Sequence, residues 1–155
     1  MATTLEKFKD GKSMGAHLRE SRAARKSHEN ACKAKLRARD GPGCRWPGCE
    51  YWRRGVRVEG AHLEDKGMGG DKQSLRTQPE KMIRLCWEHH QGAASVHSTH
   101  LDVRPLTSRG TDGPCAFWFR PTIAAEWQMF GAEDEATFAR KHKRQFEAHD
   151  DEDEA

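Results

Sequence analysis

Polar and charged positions dominate the first forty residues, and the apolar ones are few and small. Residues 14–39 are rich in Ala, Arg, Lys and Glu, lack proline and contain one glycine, Gly15, so they predict a single long helix. Its apolar positions are Leu18, Ala24, Ala31, Cys32 and Leu36, which suit a helix that covers a surface or meets a partner. The Gly and Pro of "RDGPGC" stop it. Further on, Val56, Val58, Gly60 and His62 alternate along one face of a predicted strand, and "KGMGGD" reads as a loop. "KMIRLC" predicts a second short extended segment, and "HHQGAASVH" can begin a helix. Residues 101–120, "LDVRPLTSRGTDGPCAFWFR", predict two strands around a Gly-rich turn. Residues 122–149 predict one or two helices anchored by Trp127, Phe130, Phe138 and Phe146.

The pattern therefore predicts an α+β chain in four parts. Residues 1–40 form a basic helical segment, 41–120 the core, 121–148 a C-terminal helical segment and 149–155 an acidic tail. Composition adds a constraint on that core. Of the 155 residues, 35% are hydrophobic and 33% charged, a poor supply for a large apolar interior. Small domains short of core are commonly held by a metal or by disulfides. Five cysteines, an odd number, argue against a fully paired disulfide framework. The N-terminal "MATTLEKFKDGK" has no apolar signal core and no run reaches membrane-spanning length. A soluble, reducing, cytoplasmic setting is expected, in which thiols stay available for metal.

The net charge of +3 conceals a gradient. Residues 1–40 carry 11 Lys+Arg against 5 Asp+Glu, and residues 132–155 carry 4 against 9. A basic front half suits a polyanionic partner, while "DDEDEA" reads as a solvated tail. Arg22, Arg25 and Lys26 are the helix positions expected to meet nucleic acid, with Arg53, Arg54 and Arg57 as further phosphate contacts.

Two constellations carry chemistry. Cys44 and Cys49 bracket "CRWPGC", and Cys86 and His89 bracket "CWEH" 37 residues after Cys49. Two tight pairs of sulfur and nitrogen donors supply the tetrahedron of a structural zinc, with Pro47 and Gly48 permitting the turn in the first pair. The competing reading makes these buried free thiols. The second constellation is His62 on the predicted strand and His90 immediately after His89. If zinc holds His89 at the head of a helix, His90 is aimed elsewhere.

The order of strand and histidine, Gly-rich loop and "LCWEHH" at the head of a helix, bracketed by a zinc-type knuckle, resembles the HNH endonucleases. More narrowly, "AHLEDKGMGG" and "GTDGPCAFW" resemble segments of small phage and prophage HNH proteins, and the resemblance spans roughly Arg39 to Arg120. It implies a ββα-metal finger, two strands and a helix clasping one catalytic divalent ion, with a separate structural zinc. It implies that His62 is the general base and His90 a ligand of the catalytic cation, Mg²⁺, Mn²⁺ or a softer divalent ion. Cys44, Cys49, Cys86 and His89 match the structural zinc ligands.

Lys81 stands where the family has asparagine, the only asparagine of the chain being Asn30, and enters as a third catalytic position that orients the loop or contacts phosphate, the alternative being an ordinary exposed lysine. Ala61 stands where many members carry a metal-binding Asp or His. Among the nearby carboxylates Glu59, Glu64, Asp65 and Asp71, strand alternation favours Glu64, which shares the face of His62. The implied function is metal-dependent hydrolysis of DNA. The alternatives are a zinc-stabilised DNA- or protein-binding module without catalysis, and a phage assembly factor whose partners are packaging proteins.

Overall fold

The computed structural model describes residues 14–64 and 76–139, with the side chains of Met14 and His17 left aside. Helix α1 runs over Met14–Asp40. A hairpin follows, β1 at Val58–His62 and β2 at Met82–Cys86, and then the short helix α2 at Trp87–Gln91. A second sheet is built from β3 at Leu101–Pro105, β4 at Cys115–Phe119 and β5 at Gln128–Ala132, in the order β3-β4-β5. Every strand pairing is antiparallel. The described residues are thus α+β with two small antiparallel sheets. Among the described residues no helix is long and apolar enough to cross a membrane. "KGMGGD", Asp65, Asp71 and Phe146 lie outside the described residues.

Alternation along the strands decides what faces what. Ala61, Ile83 and Leu85 project from one face of the β1–β2 hairpin into the core, where they meet Val103, Cys115 and Phe117 of the second sheet. Trp46 joins this cluster, only 5% exposed, with its ring edge-on to Phe117. The opposite face of the hairpin belongs to α1: a Cβ on Gly60 would come within 3.1 Å of Leu36 and 3.2 Å of Met82. The hairpin is therefore covered on both faces. Cys32 and Leu36 are the buried apolar positions of α1 and Asp40 its buried charge, all in its C-terminal half. Most of residues 15–27 is exposed, including Leu18, so this part of the helix projects from the body.

The predicted C-terminal helices are corrected by β5, which occupies residues expected to be helical. After β3 pairs with one edge of β4, the other edge still carries unmet backbone donors and acceptors, and residues 128–132 satisfy them. Phe130 therefore sits on a strand, half-exposed, against Trp46 and Phe119. Helix is described only at residues 135–139, where Phe138 is buried beneath the Arg45 guanidinium. Trp127 packs under Arg104 and Arg120.

A charged network that the sequence does not advertise ties these layers together. Asp40 accepts hydrogen bonds from Arg39 at 2.6 and 2.8 Å, from Arg45 at 3.2 Å and from the Arg84 backbone amide at 3.0 Å. Arg45 also reaches Glu133 at 2.7 Å and the Thr111 and Gly113 carbonyls. Arg39 donates to the Pro79 and Met82 carbonyls, and Thr111 bonds the same two. The end of α1, the hairpin and the β3–β4 connection are thereby clamped at one point.

That connection needs glycine at position 110, where φ is +63° and a Cβ would stand 2.2 Å from the Glu80 carbonyl oxygen. Gly110→Ala is expected to cost about 1–3 kcal/mol, because neither the left-handed backbone nor the facing carbonyl can yield cheaply. Urea unfolding checks this, and a loss well below 1 kcal/mol would contradict it.

Candidate metal centre and the Glu59–His90 site

The Cys44–Cys49 segment closes on itself through the Cys49 amide, which donates to the Trp46 carbonyl at 3.2 Å. Pro47 and Gly48 hold the two middle positions, and Gly48 has φ +69°, the arrangement of a type II turn. The second pair is set by the junction of β2 and α2. Cys86 is extended and ends the strand, so Trp87 to Gln91 wind directly from it and bring His89 back over the Cys86 thiol. The Trp87 amide donates to the Arg57 carbonyl at 2.8 Å and anchors the junction to the approach of β1.

These local turns bring Cys44, Cys49, Cys86 and His89 together, with all four donor atoms within 4.8 Å of one another. Cys49 Sγ lies 3.7 Å from Cys86 Sγ. His89 Nδ1 lies 3.5 Å from Cys44 Sγ and 3.2 Å from Cys86 Sγ. A zinc with sulfur at about 2.3 Å and nitrogen at about 2.0 Å has tetrahedral edges of about 3.5–3.8 Å, so the donors stand close to where one ion needs them. The cluster can hold a metal ion, and its Cys₃His donor set is that of a structural zinc site.

Burial favours the neutral forms here. It pushes the Cys44 and Cys86 thiols up and the His89 imidazole down to about 4, so the His89 lone pair is available near neutral pH. A bound dication would invert the thiol preference, because it stabilises thiolate directly. Trp46 stacks on His89 at 5.2 Å, and Tyr51 meets it edge-on at 5.5 Å. The ligand ring is clamped between aromatic neighbours.

The neighbouring histidine points elsewhere. Consecutive residues on a helix diverge by about 100°. His90 accordingly leaves the cluster and lies buried with Nδ1 at 2.9 Å from Glu59 Oε2. The Gln91 amide donates to the same Glu59 oxygen at 2.8 Å, Arg57 pairs with the other, and the His97 ring lies 4.9 Å from that of His90. Burial raises the Glu59 carboxyl, but the His90 hydrogen bond and the Arg57 charge outweigh it and hold the group below the usual carboxylate range.

Of Glu59 and Glu64, it is Glu59 that touches His90. Glu64 is exposed and pairs with Arg76 at 3.8 Å and Lys81 at 3.9 Å. Ala61 is fully buried in the core, so its position has no room for a ligand. Glu59 lies two residues earlier on that same face of β1 and is the carboxylate that reaches His90. Alternation relative to His62 favours Glu64, whereas Glu59 shares the face of Ala61. An oxygen and a nitrogen about 2.1 Å from one hard cation are about 3.0 Å apart on an octahedral edge, which the 2.9 Å of Glu59–His90 matches. The same 2.9 Å is the length of an imidazole–carboxylate hydrogen bond, which the pair makes in this structure.

His62 ends β1 on the α1 side of the hairpin, with Nε2 at 3.2 Å from Thr77 Oγ1. Thr77 is buried, and its carbonyl accepts from Cys32 and His28 of α1. Lys81 stands beside this end of the hairpin, its carbonyl accepting from the Leu63 amide. Arg22, Arg25 and Lys26 lie on the projecting half of α1, and Arg53, Arg54 and Arg57 are exposed ahead of β1. Arg84 of β2 is a further cation near α1, with burial and then the Arg37 charge pushing its guanidinium below its ordinary value. Compared with known proteins, the chain matches no family model, no curated protein and no solved structure.

Proposed function

We propose that this protein is a metal-dependent endonuclease of the HNH kind, a ββα-metal finger hydrolysing DNA phosphodiester bonds beside a structural zinc. The observation that carries the reading is the Glu59–His90 pair, held at 2.9 Å by the turn of α2 that also sends His89 into the Cys/His cluster. One short helix thus presents one histidine to structure and the next to a carboxylate on β1.

Hydrolysis of a phosphodiester needs a base that takes a proton from the attacking water, and His62 is that base, with an imidazole suited to the task near neutral pH. Thr77 Oγ1, 3.2 Å from His62 Nε2, holds that side of the ring. Glu59 and His90 would hold the divalent cation, Mg²⁺, Mn²⁺ or a softer ion. When bound, it neutralises charge growing on the phosphate and the leaving oxygen. Among the described residues β1 has no second strand beside it, so its outer edge is open. A backbone laid along that edge would pass Glu59, whose side chain lies on the opposite face of β1 from His62. Lys81, tied to Glu64, orients the segment after β1.

Cleavage of supercoiled plasmid across a divalent-metal series tests the reading. His62→Ala, His90→Ala and Glu59→Ala are each expected to slow cleavage by about 10²-fold or more while keeping zinc content and fold. Cleavage by His90→Ala at the wild-type rate would sink the mechanism. A zinc-stabilised module that binds DNA or packaging proteins without cutting is the second reading, and the core burial of Ala61 favours it. A wild type inert in every metal yet still binding DNA would select that module.

A further inference from the structure

The open edge of β1 and the flank of α1 enclose a groove of about 470 Å³ whose walls include Lys33, Arg37, Arg57, Glu59 and Arg84. Its charges are unequal. Lys33 pairs with Glu29 at 3.3 Å, and Arg57 pairs with Glu59. That leaves the Arg37 and Arg84 guanidinium groups, to which no carboxylate is bonded among the described residues. Asp40 is the nearby acid, but both of its oxygens are taken by Arg39, Arg45 and the Arg84 amide. Two guanidinium groups therefore share one groove with an excess of positive charge, and Arg84 is only partly exposed. Planar forks of donors in such a place suit phosphate oxygens.

The groove continues a longer feature. At about 100° per residue, Arg22, Lys26 and Arg37 fall within roughly 60° of one another around α1, with the Lys33–Glu29 ion pair between them, and Arg22 to Arg37 spans about 22 Å along its axis. A single small anion fills one position of such a row, whereas a chain of phosphates fills it all. The inner end of the row is at Glu59, one wall of the groove and the partner of His90.

We infer that this stripe and the Arg37–Arg84 groove bind the phosphodiester backbone of a nucleic-acid strand and lead it to the Glu59–His90 pair. The inference rests on the nuclease reading for what happens at the end of the path, but binding itself does not require cleavage. Phosphate contacts of this kind position a strand without reading its bases.

The test is fluorescence anisotropy of a labelled DNA duplex, without added divalent ion, over a series of salt concentrations. Arg37→Glu changes an exposed helix position and leaves the core untouched. Arg37→Gln combined with Arg84→Gln removes both unbonded cations. Each is expected to weaken binding tenfold or more at low salt, and the double variant to flatten the salt slope by about two units, close to one per lost contact. Arg104→Gln on β3, away from the groove, is expected to bind as wild type does. Zinc content and thermal melting, measured alongside, show that the variants are folded.

Wild-type affinity and slope in folded Arg37→Glu and in the double variant would overturn the groove while leaving the nuclease reading standing. Weakened binding in these variants, with the wild type unable to cut in any metal, would support the groove and overturn the nuclease reading. A wild type that does not bind duplex DNA would overturn both.

Discussion

Replacing Cys86 by Ser is expected to abolish metal binding and cooperative folding together. Cys86 is fully buried at the end of β2, and its thiol is close to both Cys49 and His89, so no neighbouring donor can take its place. Apparent binding energies for structural zinc are about 10–16 kcal/mol at pH 7, against a total stability of about 5–15 kcal/mol for an ordinary domain. The core cannot make up such a loss, since apart from Trp46 and Phe117 it is built of small and medium side chains drawn from short strands. Cys115→Ala provides the contrast. Burial pushes the Cys115 thiol up to about 11, its sulfur lies against Arg45 and the Gly113 carbonyl, and it takes no part in the cluster. That variant should keep its metal and lose only part of its stability. Elemental analysis with circular-dichroism melting checks both, and a metal-free wild type that melts cooperatively would refute the zinc assignment.

Replacing Asp40 by Ala is expected to cost about 1–3 kcal/mol, because its charged hydrogen bonds to two largely buried arginines are lost while each arginine keeps one other carboxylate. Arg45 has a side chain only 1% exposed and Arg39 one 10% exposed, so neither can turn to water for compensation. Glu133 would still hold Arg45, whereas Arg39 would keep only carbonyl acceptors, Thr111 and the exposed Asp112. The effect depends on pH with a definite sign. Burial raises the Asp40 carboxyl, but hydrogen bonds from Arg39 and the charges of Arg39 and Arg45 outweigh it and hold the group below its ordinary value. As pH falls the unfolded chain takes up this proton first. The contribution of Asp40 is therefore complete above the ordinary carboxylate value and lost as pH drops through its lower folded value. Wild type and Asp40→Asn should differ most near neutral pH and converge in acid. A gap that stays constant across that range would show that the carboxylate charge is not what stabilises the network.

The metal cluster was legible because each half of it is local. Four intervening residues, with Pro47 and Gly48 among them, force Cys44 and Cys49 together, and a single turn of α2 does the same for Cys86 and His89. The β1–β2 hairpin and the β3 and β4 strands were legible for the same reason, since alternation and turn residues are written into short windows. The divergence of His89 and His90 also follows from helix geometry alone.

Strand β5 was not legible, because its residues become a strand only by finding the open edge of β4. Nor was Glu59 identified as the partner of His90, since strand parity relative to His62 pointed to Glu64 and only the packing of Ala61 into the core shows which face matters. The network of Asp40, Arg45 and Glu133 lies still further from sequence reasoning. Arg45 and Glu133 are 88 positions apart, and in the chain both look like ordinary solvated charges. Sequence by itself determined the donors, the turns that pair them and the alternating faces of the strands, because these depend on steric and hydrogen-bonding preferences over a few residues. Tertiary structure alone decided which carboxylate meets His90, which arginines are neutralised and which are left facing the α1 groove, because those outcomes depend on what distant segments exclude from water.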